Sequence, residues 1–299
     1  MELHQLKYFL AVAETGGFTS GAEKCGITQP SLSQQIGKLE HELNTPLFHR
    51  LGRAVELTEE GQQLIPRARE ILGAIEDIHT ILTAASDSVT GPLRIGTVPT
   101  ISQFMLPSIV KGFLVEFPDV DLVIHEDNRR QLIRQIADGE IDLALLSRIP
   151  DDSKISYQRL FEEDFLLVLP RNHRLMKRKR IRINDLAQER FVLLDQGAGL
   201  PNLILEFFRA HEIEPKIACR SSQLVTVQSM VSAGLGISFV PNMAAQADLE
   251  MSRACKSLYG AKPKRTVTMA WHGKRHLNGA TLQFMQRIRH SIFILKGGK

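Results

Sequence analysis

The sequence predicts two kinds of domain in one chain. An N-terminal all-α winged helix-turn-helix continues into a long linker helix, and a C-terminal α/β domain follows. Three observations carry this. Residues 1–58 hold short apolar-periodic segments punctuated by glycine. Apolar residues then recur at heptad spacing from Leu64 to Leu82. From residue 93 onward, short apolar runs alternate with helical patterns, as in largely parallel sheets flanked by helices.

In the first segment Leu3, Leu6, Phe9, Leu10 and Ala13 form one apolar face, and Gly16-Gly17 ends that helix. Phe18 is expected in the core, with Thr19 or Ser20 capping a second helix that carries Ala22 and a core Cys25. Gly26 turns the chain, and Thr28 is the expected N-cap of a third helix with Pro30 in its first turn. There Leu32, Ile36, Leu39 and Leu43 face inward. The opposite face, with Gln29, Pro30, Ser33, Gln34, Gly37 and Lys38, is compact, polar and nearly free of acids, and Ser31 joins its candidates for DNA contact. Glutamine pairs bidentately with adenine and lysine reaches phosphate or guanine, so this face suits the major groove of double-stranded DNA. The run Thr45–Thr58 reads as a wing whose Arg50 and Arg53 reach backbone or minor groove.

Beyond Thr58, Leu64, Ala68, Ile71, Ile75, Ile78 and Leu82 recur at spacings of 4, 3, 4, 3 and 4, an a/d seam that predicts a dimerisation helix over 59–86. Residues 87–92, ending in Gly-Pro, read as a hinge. In 93–299 the expected strands are 93–97, 120–125, 141–146, 165–169, 191–194, 217–221, 236–240 and 266–271. The expected helices are 101–117, 131–137, 201–211, 225–233 and 277–295.

Composition bounds the function. Hydrophobic residues make up 43% and charged residues 23%, a globular profile. No apolar stretch approaches the roughly 18 residues of a membrane span, so no membrane partner is expected. The start lacks the basic and apolar regions of a signal peptide, and Cys25, Cys219 and Cys255 are widely spaced, which together predict a cytoplasmic protein. Residues 1–90 carry seven Lys/Arg against twelve Asp/Glu, a net of −5, while the remainder carries +9. Few phosphate contacts per subunit are therefore expected from the reading head, and tight binding calls for a dimer or larger assembly. No GxSxG, HExxH, Walker A or Rossmann pattern occurs, and the histidines lack metal-ligand spacing. The sequence thus calls for no cofactor, no metal and no enzymatic activity. A ligand-binding enzyme is the weaker alternative.

Several motifs carry a family resemblance. Gly17-Phe18-Thr19-Ser20-Gly21-Ala22, Thr28-Gln29-Pro30-Ser31-Leu32-Ser33-Gln34-Gln35-Ile36, Leu39-Glu40, Leu47-Phe48 and Leu57-Thr58-Glu59-Glu60-Gly61 resemble the LysR-type transcriptional regulators. Phe117-Pro118, Asp142-Leu143-Ala144 and Gly234–Pro241 resemble that family's effector domain. Gly21 stands where a second alanine is usual and Asn44 where glycine is usual, although Asn suits a left-handed C-cap. The resemblance implies a periplasmic-binding-protein-like effector domain of two subdomains (about 93–161 with 266–299, and about 162–265) joined by two crossing strands. It also implies a homodimer assembling to a homotetramer that bends DNA, with RNA polymerase a further candidate partner.

A small-molecule effector is expected in the cleft between the subdomains. The loops at Thr97–Ser102 and Asp195–Asn202 each follow a strand and open a helix, where free backbone N–H groups favour an anion. Thr100, Ser102, Gln196, Gly199 and Asn202 are the candidate residues there, with Ser147 and Arg148 at the end of the 141–146 strand. The effector domain is also similar to the family's peroxide-sensing branch. The positions that would match that branch's cysteine pair are Gly199 and Phe208, and Cys219 and Cys255 fall elsewhere. Reversible ligand sensing is the expectation, and a thiol- or redox-responsive regulator is the alternative. The basic run Arg171–Arg182 reads either as a solvated loop or as a surface attracting an acidic effector or flanking DNA.

Overall fold

A computed structural model describes residues 1–51, 54–83, 89–195, 203–246 and 253–295. The chain divides into two compact units. The first is residues 1–88 with the short stretches 135–140 and 274–279, and the second is the remainder.

The first unit begins with α1 (Leu3–Thr15), α2 (Phe18–Cys25) and α3 (Gln29–Leu43), followed by strands β1 (Phe48–Leu51) and β2 (Ala54–Leu57) and the long helix α4 (Glu59–Thr83). The helices end where the sequence supplies left-handed residues: Gly16 at φ 68°, Gly26 at φ 66° and Asn44 at φ 51°. One core binds the helices together, with Leu6, Phe9, Leu32, Ile36 and Leu39 almost wholly buried. Phe48 on the wing closes it, its ring 5.4 Å from Phe9 and 5.6 Å from Phe18. The wing adds an antiparallel β-hairpin to a domain expected to be all-α. Three local expectations are corrected. Leu43 is exposed rather than inward, because the core ends at Leu39. The cap of α2 is Gly17, since the helix already begins at Phe18. Cys25 is half-buried at the core's edge, and burial pushes its thiol pKa up.

Two motif residues acquire structural reasons. Glu40 accepts hydrogen bonds from the backbone N–H of Leu47 at 2.8 Å and of Phe48 at 3.3 Å, so it fastens the wing to α3. Thr58 caps α4 by accepting from Gly61 N–H at 2.9 Å and donating to the Pro46 carbonyl at 2.8 Å. A Cβ at Gly61 would stand 2.3 Å from the Leu47 carbonyl oxygen, so only glycine admits this approach. Gly21 departs from the usual alanine for a similar reason: a Cβ there would lie 2.8 Å from a Val12 methyl and 3.1 Å from the Val12 nitrogen.

Helix α4 carries one broad apolar stripe. Leu64, Ile65, Ala68 and Leu72 pack on the core of their own unit, and Ala68 is fully buried. The seam read from the sequence is therefore corrected at its start: Ala68 is not available to a partner and Leu64 is half-used. Ile71, 37% exposed, and Ile75, half-buried, lie on the same stripe as Ala68. The side chains of Ile78 and Leu82 lie outside the described residues.

The second unit continues with β3 (Gly91–Thr97), α5 (Pro99–Glu116), β4 (Val120–Glu126), α6 (Arg129–Asp138), β5 (Leu143–Leu146) and the 16-residue β6 (Ile155–Pro170). Then come β7 (Arg190–Leu194), α7 (Leu203–Arg209), β8 (Lys216–Ser221), α8 (Leu224–Ser232), β9 (Ser238–Pro241), α9 (Asn242–Gln246), β10 (Arg253–Lys256), β11 (Lys264–His272) and α10 (Gly279–Leu295). Parallel β4, β3 and β5 are followed by antiparallel β11 and the first half of β6. The second half of β6 pairs with β9 and β10. Parallel β7 and β8 join that group through a bridge between Phe191 and Ile237. Strand β6 thus belongs to two sheet regions, and β11 is the return strand beside it.

Strand β3 starts at Gly91, so the Gly-Pro read as the end of a hinge is already sheet, and 84–88 lie outside the described residues. The sequence reading found only 165–169 of β6. Its first half is rich in polar residues (Gln158, Arg159, Glu162), and Glu163 hides among those charges although it is buried. The short β10 and α9 were not anticipated either.

Candidate functional site

Two sites take shape, one in each unit. On α3 the residues Gln29, Pro30, Ser31, Gln34 and Lys38 are exposed and Ser33 is half-buried, while Leu32, Ile36 and Leu39 are sealed beneath. Gln35 is held away from this face by Gln5, whose amide donates to it at 3.3 Å. Proline in the first turn costs no internal hydrogen bond. The result is a polar ridge of donors and acceptors with one cation. The side chain of Arg50, and Arg53 altogether, lie outside the described residues.

In the second unit a cavity of about 100 Å³ is lined by Thr100, Arg129, Ser147, Arg148, Asp195 and Arg265 on its polar side. Its apolar side is Phe165, Leu193, Leu194, Leu203, Ile204, Phe239 and Pro241, with Ser238 beside them. One water needs roughly 10–15 Å³ on this scale, so the cavity holds several waters or a small ligand.

Arg265 on β11 anchors the polar side. It is 3% exposed and stands directly opposite Glu163 on β6, with Nε donating to the carboxylate at 2.7 Å. Its two Nη atoms donate to the Thr100 hydroxyl at 2.7 Å and the Thr100 carbonyl at 3.1 Å. The other Glu163 oxygen accepts from Met243 N–H, in the first turn of α9, at 2.6 Å. Burial pushes the Arg265 pKa down, and the charge and hydrogen bond of Glu163 oppose that shift. Thr100 therefore accepts from Arg265 through both of its oxygens, and its hydroxyl hydrogen remains as a donor.

Arg129, in the first turn of α6, is half-buried. One Nη donates to the Ile149 carbonyl at 2.8 Å, while its Nε is buried with no hydrogen-bond partner among the described residues. Burial lowers its pKa, the nearby Arg148 lowers it further, and Asp151 opposes. Arg148 pairs with the Glu206 carboxylate, and its carbonyl accepts from Thr268 Oγ1 at 3.0 Å.

Of the residues expected at an effector site, Thr100, Ser147 and Arg148 do come together. Ser102 does not: its hydroxyl turns to the Glu126 carboxylate and it lines no part of the cavity. Gln196, Gly199 and Asn202 lie outside the described residues. Sequence reading missed Arg129 and Arg265. A signal for Arg129 existed, because Arg129 and Arg130 sit in a helix's first turn, where the dipole disfavours cations. Arg265 gave none, since its partner is about a hundred residues away. A second, more open cleft of about 590 Å³ adjoins Thr100, between Asp127, Asn128, Asp195, Arg220 and the start of α8.

The cysteines form no local pair. Cys219 pairs with Val192 on β7, Val192 bonds to Ile237 beside Ser238 on β9, Ser238 pairs with Val168 on β6, and Val168 pairs with Cys255 on β10. Four strand spacings of about 4.8 Å put the two roughly 19 Å apart, against less than about 7 Å for a disulfide. Phe208, at one position expected to match a redox cysteine, is fully buried, its ring 4.9 Å from Phe191.

Comparison with known proteins gives the same two parts. Residues 3–62 match the family model of the bacterial regulatory helix-turn-helix protein, lysR family, and residues 86–292 match the LysR substrate binding domain. A hydrogen peroxide-inducible genes activator from Pectobacterium carotovorum subsp. carotovorum is 30% identical, the alignment covering 98% of this chain and 97% of that one. The DNA-binding transcriptional dual regulator OxyR of Escherichia coli K12 is 29% identical over 97% of this chain and 95% of its own length. A full-length OxyR from Pseudomonas aeruginosa superposes with a TM-score of 0.80 at 26% identity, covering 98% of this chain and 95% of that chain.

Proposed function

The chain belongs to the LysR family and is a DNA-binding transcription regulator, not an enzyme, and we propose that a small anionic effector in the cavity beside Arg129, Arg148 and Arg265 controls it. The observation that carries this reading is the state of Arg129. Three guanidinium groups and the Asp195 carboxylate border the cavity; Glu163 and Glu206 engage two of the cations, Asp195 lies 3.8 Å from Arg220, and the buried Nε of Arg129 has no hydrogen-bond partner among the described residues. A buried donor without a partner costs roughly 1–3 kcal/mol, which an incoming acceptor relieves. The facing wall of Phe165, Leu193 and Phe239 suits an apolar body, so a carboxylate on a compact hydrophobic skeleton fits both sides.

In this reading Gln29, Ser33 and Gln34 read bases, and Lys38, Arg50 and Arg53 hold phosphates. The face of α4 that carries Ile71 and Ile75, continued in sequence by Ile78 and Leu82, pairs two chains. Two such dimers form a homotetramer in the cytoplasm, with RNA polymerase as a further partner. The effector shifts the assembly only through its different affinity for the two states.

The test is a thermal-shift series on the full chain with small carboxylates, each matched by its neutral amide. Carboxylates should raise the melting temperature and alter DNA mobility, and Arg129→Gln should remove both effects. Amides acting as well as the acids would overturn the anion reading. The peroxide-named relatives favour a second reading, a redox sensor. Against it stands the roughly 19 Å between Cys219 and Cys255, which a disulfide could close only by taking sheet strands apart. Loss of response in Cys219→Ser or Cys255→Ser, with the fold preserved, would establish that second reading.

A further inference from the structure

Between Arg171 and Arg182 the chain places seven Lys/Arg and no acid in twelve residues, and all seven are exposed. This is not a loose loop. Leu175 and Ile181 are buried in the core, and 3-10 turns over Arg174–Lys177 and Ile183–Leu186 fix the backbone on either side. Tyr259 N–H donates to the Ile181 carbonyl at 2.7 Å. A further cation comes from β10: Lys256 Nζ donates to the carbonyls of Met176 and Arg178 at 2.7 and 3.0 Å.

The charges are only partly answered. Arg174 pairs with Glu189 at 2.6 Å and Arg178 with Asp185 at 2.7 Å. Arg180 and Arg182 share one ring, their guanidinium carbons 4.4 and 5.7 Å from the centroid of Tyr259, which is itself 46% exposed. Arg171, Lys177 and Lys179 have no acidic partner among the described residues. A solvated loop gains nothing from being pinned in a conformation that holds like charges together. A surface for a polyanion gains fixed spacing.

We propose that this surface binds the phosphate backbone of duplex DNA flanking the sequence read by α3. Duplex DNA is the polyanion this chain engages by virtue of its helix-turn-helix. Residues 1–90 carry a net −5, so the reading segment itself brings little of the counter-charge that DNA affinity rests on. The surplus cations stand in the other unit, on a rigid surface.

The experiment uses the full chain and a duplex selected for tight binding from a random library, in two lengths. One is trimmed to the shortest binding core and the other carries added flanks. Affinity is measured across a salt series. Each phosphate neutralised adds about 0.9 to the salt slope. The variant Arg171→Gln/Lys177→Gln/Lys179→Gln should lower the slope on the long duplex by about one to three units and leave the core duplex within twofold. The charge-keeping control Lys177→Arg/Lys179→Arg should behave as wild type. No change on the long duplex, or an equal change on both lengths, overturns the proposal. Unchanged DNA binding with loss of transcription by purified RNA polymerase would assign the surface to an acidic protein instead, and would also overturn it.

Discussion

Helix α3 and the cavity of the second unit place their polar groups by opposite means. On α3 the polar ridge comes from residues three or four apart on one helix, and it is kept exposed because the other face is sealed into the core. In the cavity the polar groups come from positions 100, 129, 147–148, 195 and 265, brought together by long-range packing, and Arg265 is buried against Glu163 behind it. One site is a local pattern whose partner is outside the molecule. The other is a long-range construction in which most groups already satisfy one another.

Glu163 is the position where a substitution should cost most. Its carboxylate and the Arg265 guanidinium have side chains only 5% and 2% exposed. Glu163→Ala should cost about 3–5 kcal/mol, because it leaves a buried charge without its counter-ion. Unfolding in denaturant, followed by a probe specific to the second unit, measures this. Glu163→Leu combined with Arg265→Met should recover most of the loss, since an apolar pair replaces an ion pair at little cost. A loss below about 1 kcal/mol for the single variant would mean that water reaches Arg265 and that the pair is no anchor.

The reading helix should respond differently. Gln29→Ala leaves the fold intact, since the side chain is exposed, yet should cost about 1–3 kcal/mol on a selected site and much less on random duplex. Arg53→Ala should instead weaken both duplexes alike and lower the salt slope by about one unit. Equal losses for Gln29→Ala on both duplexes would remove it from the base-reading set.

This contrast also explains what could be read from the sequence. The helix-turn-helix is legible because its glycines and apolar spacing are local, down to Asn44 as a left-handed cap, although the cap of α2 is not. The alternating strands and helices beyond residue 93 were legible for the same reason. The heptad spacing does not reveal that Ala68 is buried in its own unit, because spacing marks an apolar stripe and not what covers it. The first half of β6 escaped because Glu163 reads as a surface acid until its partner is known. Ser102 was taken for a ligand group from its place in a helix's first turn, although Glu126 across the sheet edge claims its hydroxyl. Arg265 was invisible, since nothing in the neighbouring sequence announces a pairing with a residue about a hundred positions away.

Glu14 repeats the carboxylate–cation chemistry of Glu163 at a surface, where little stability rests on it. Glu14 accepts from Lys24 at 2.7 Å and from Arg69 at 3.3 Å, with 39% of its side chain exposed. Burial acts to raise its pKa, but the hydrogen bonds and charges of Lys24 and Arg69 outweigh that and hold it below the usual 4.5. A carboxylate whose folded pKa is depressed contributes stability that is present above the unfolded value and is lost as pH falls through the folded one. Glu14→Gln should therefore cost less than about 1 kcal/mol at pH 7, and wild type and variant should converge at pH values below the folded pKa, where the carboxyl is protonated. Added salt should shrink the difference, because exposed charges are screened. The loss in Glu163→Ala should barely respond to salt, because no ions reach that pair. Thermal denaturation of both variants at low and high salt decides the matter: equal salt sensitivity would show that the Glu163–Arg265 pair is as open to solvent as Glu14, and the contrast between the two sites would fall.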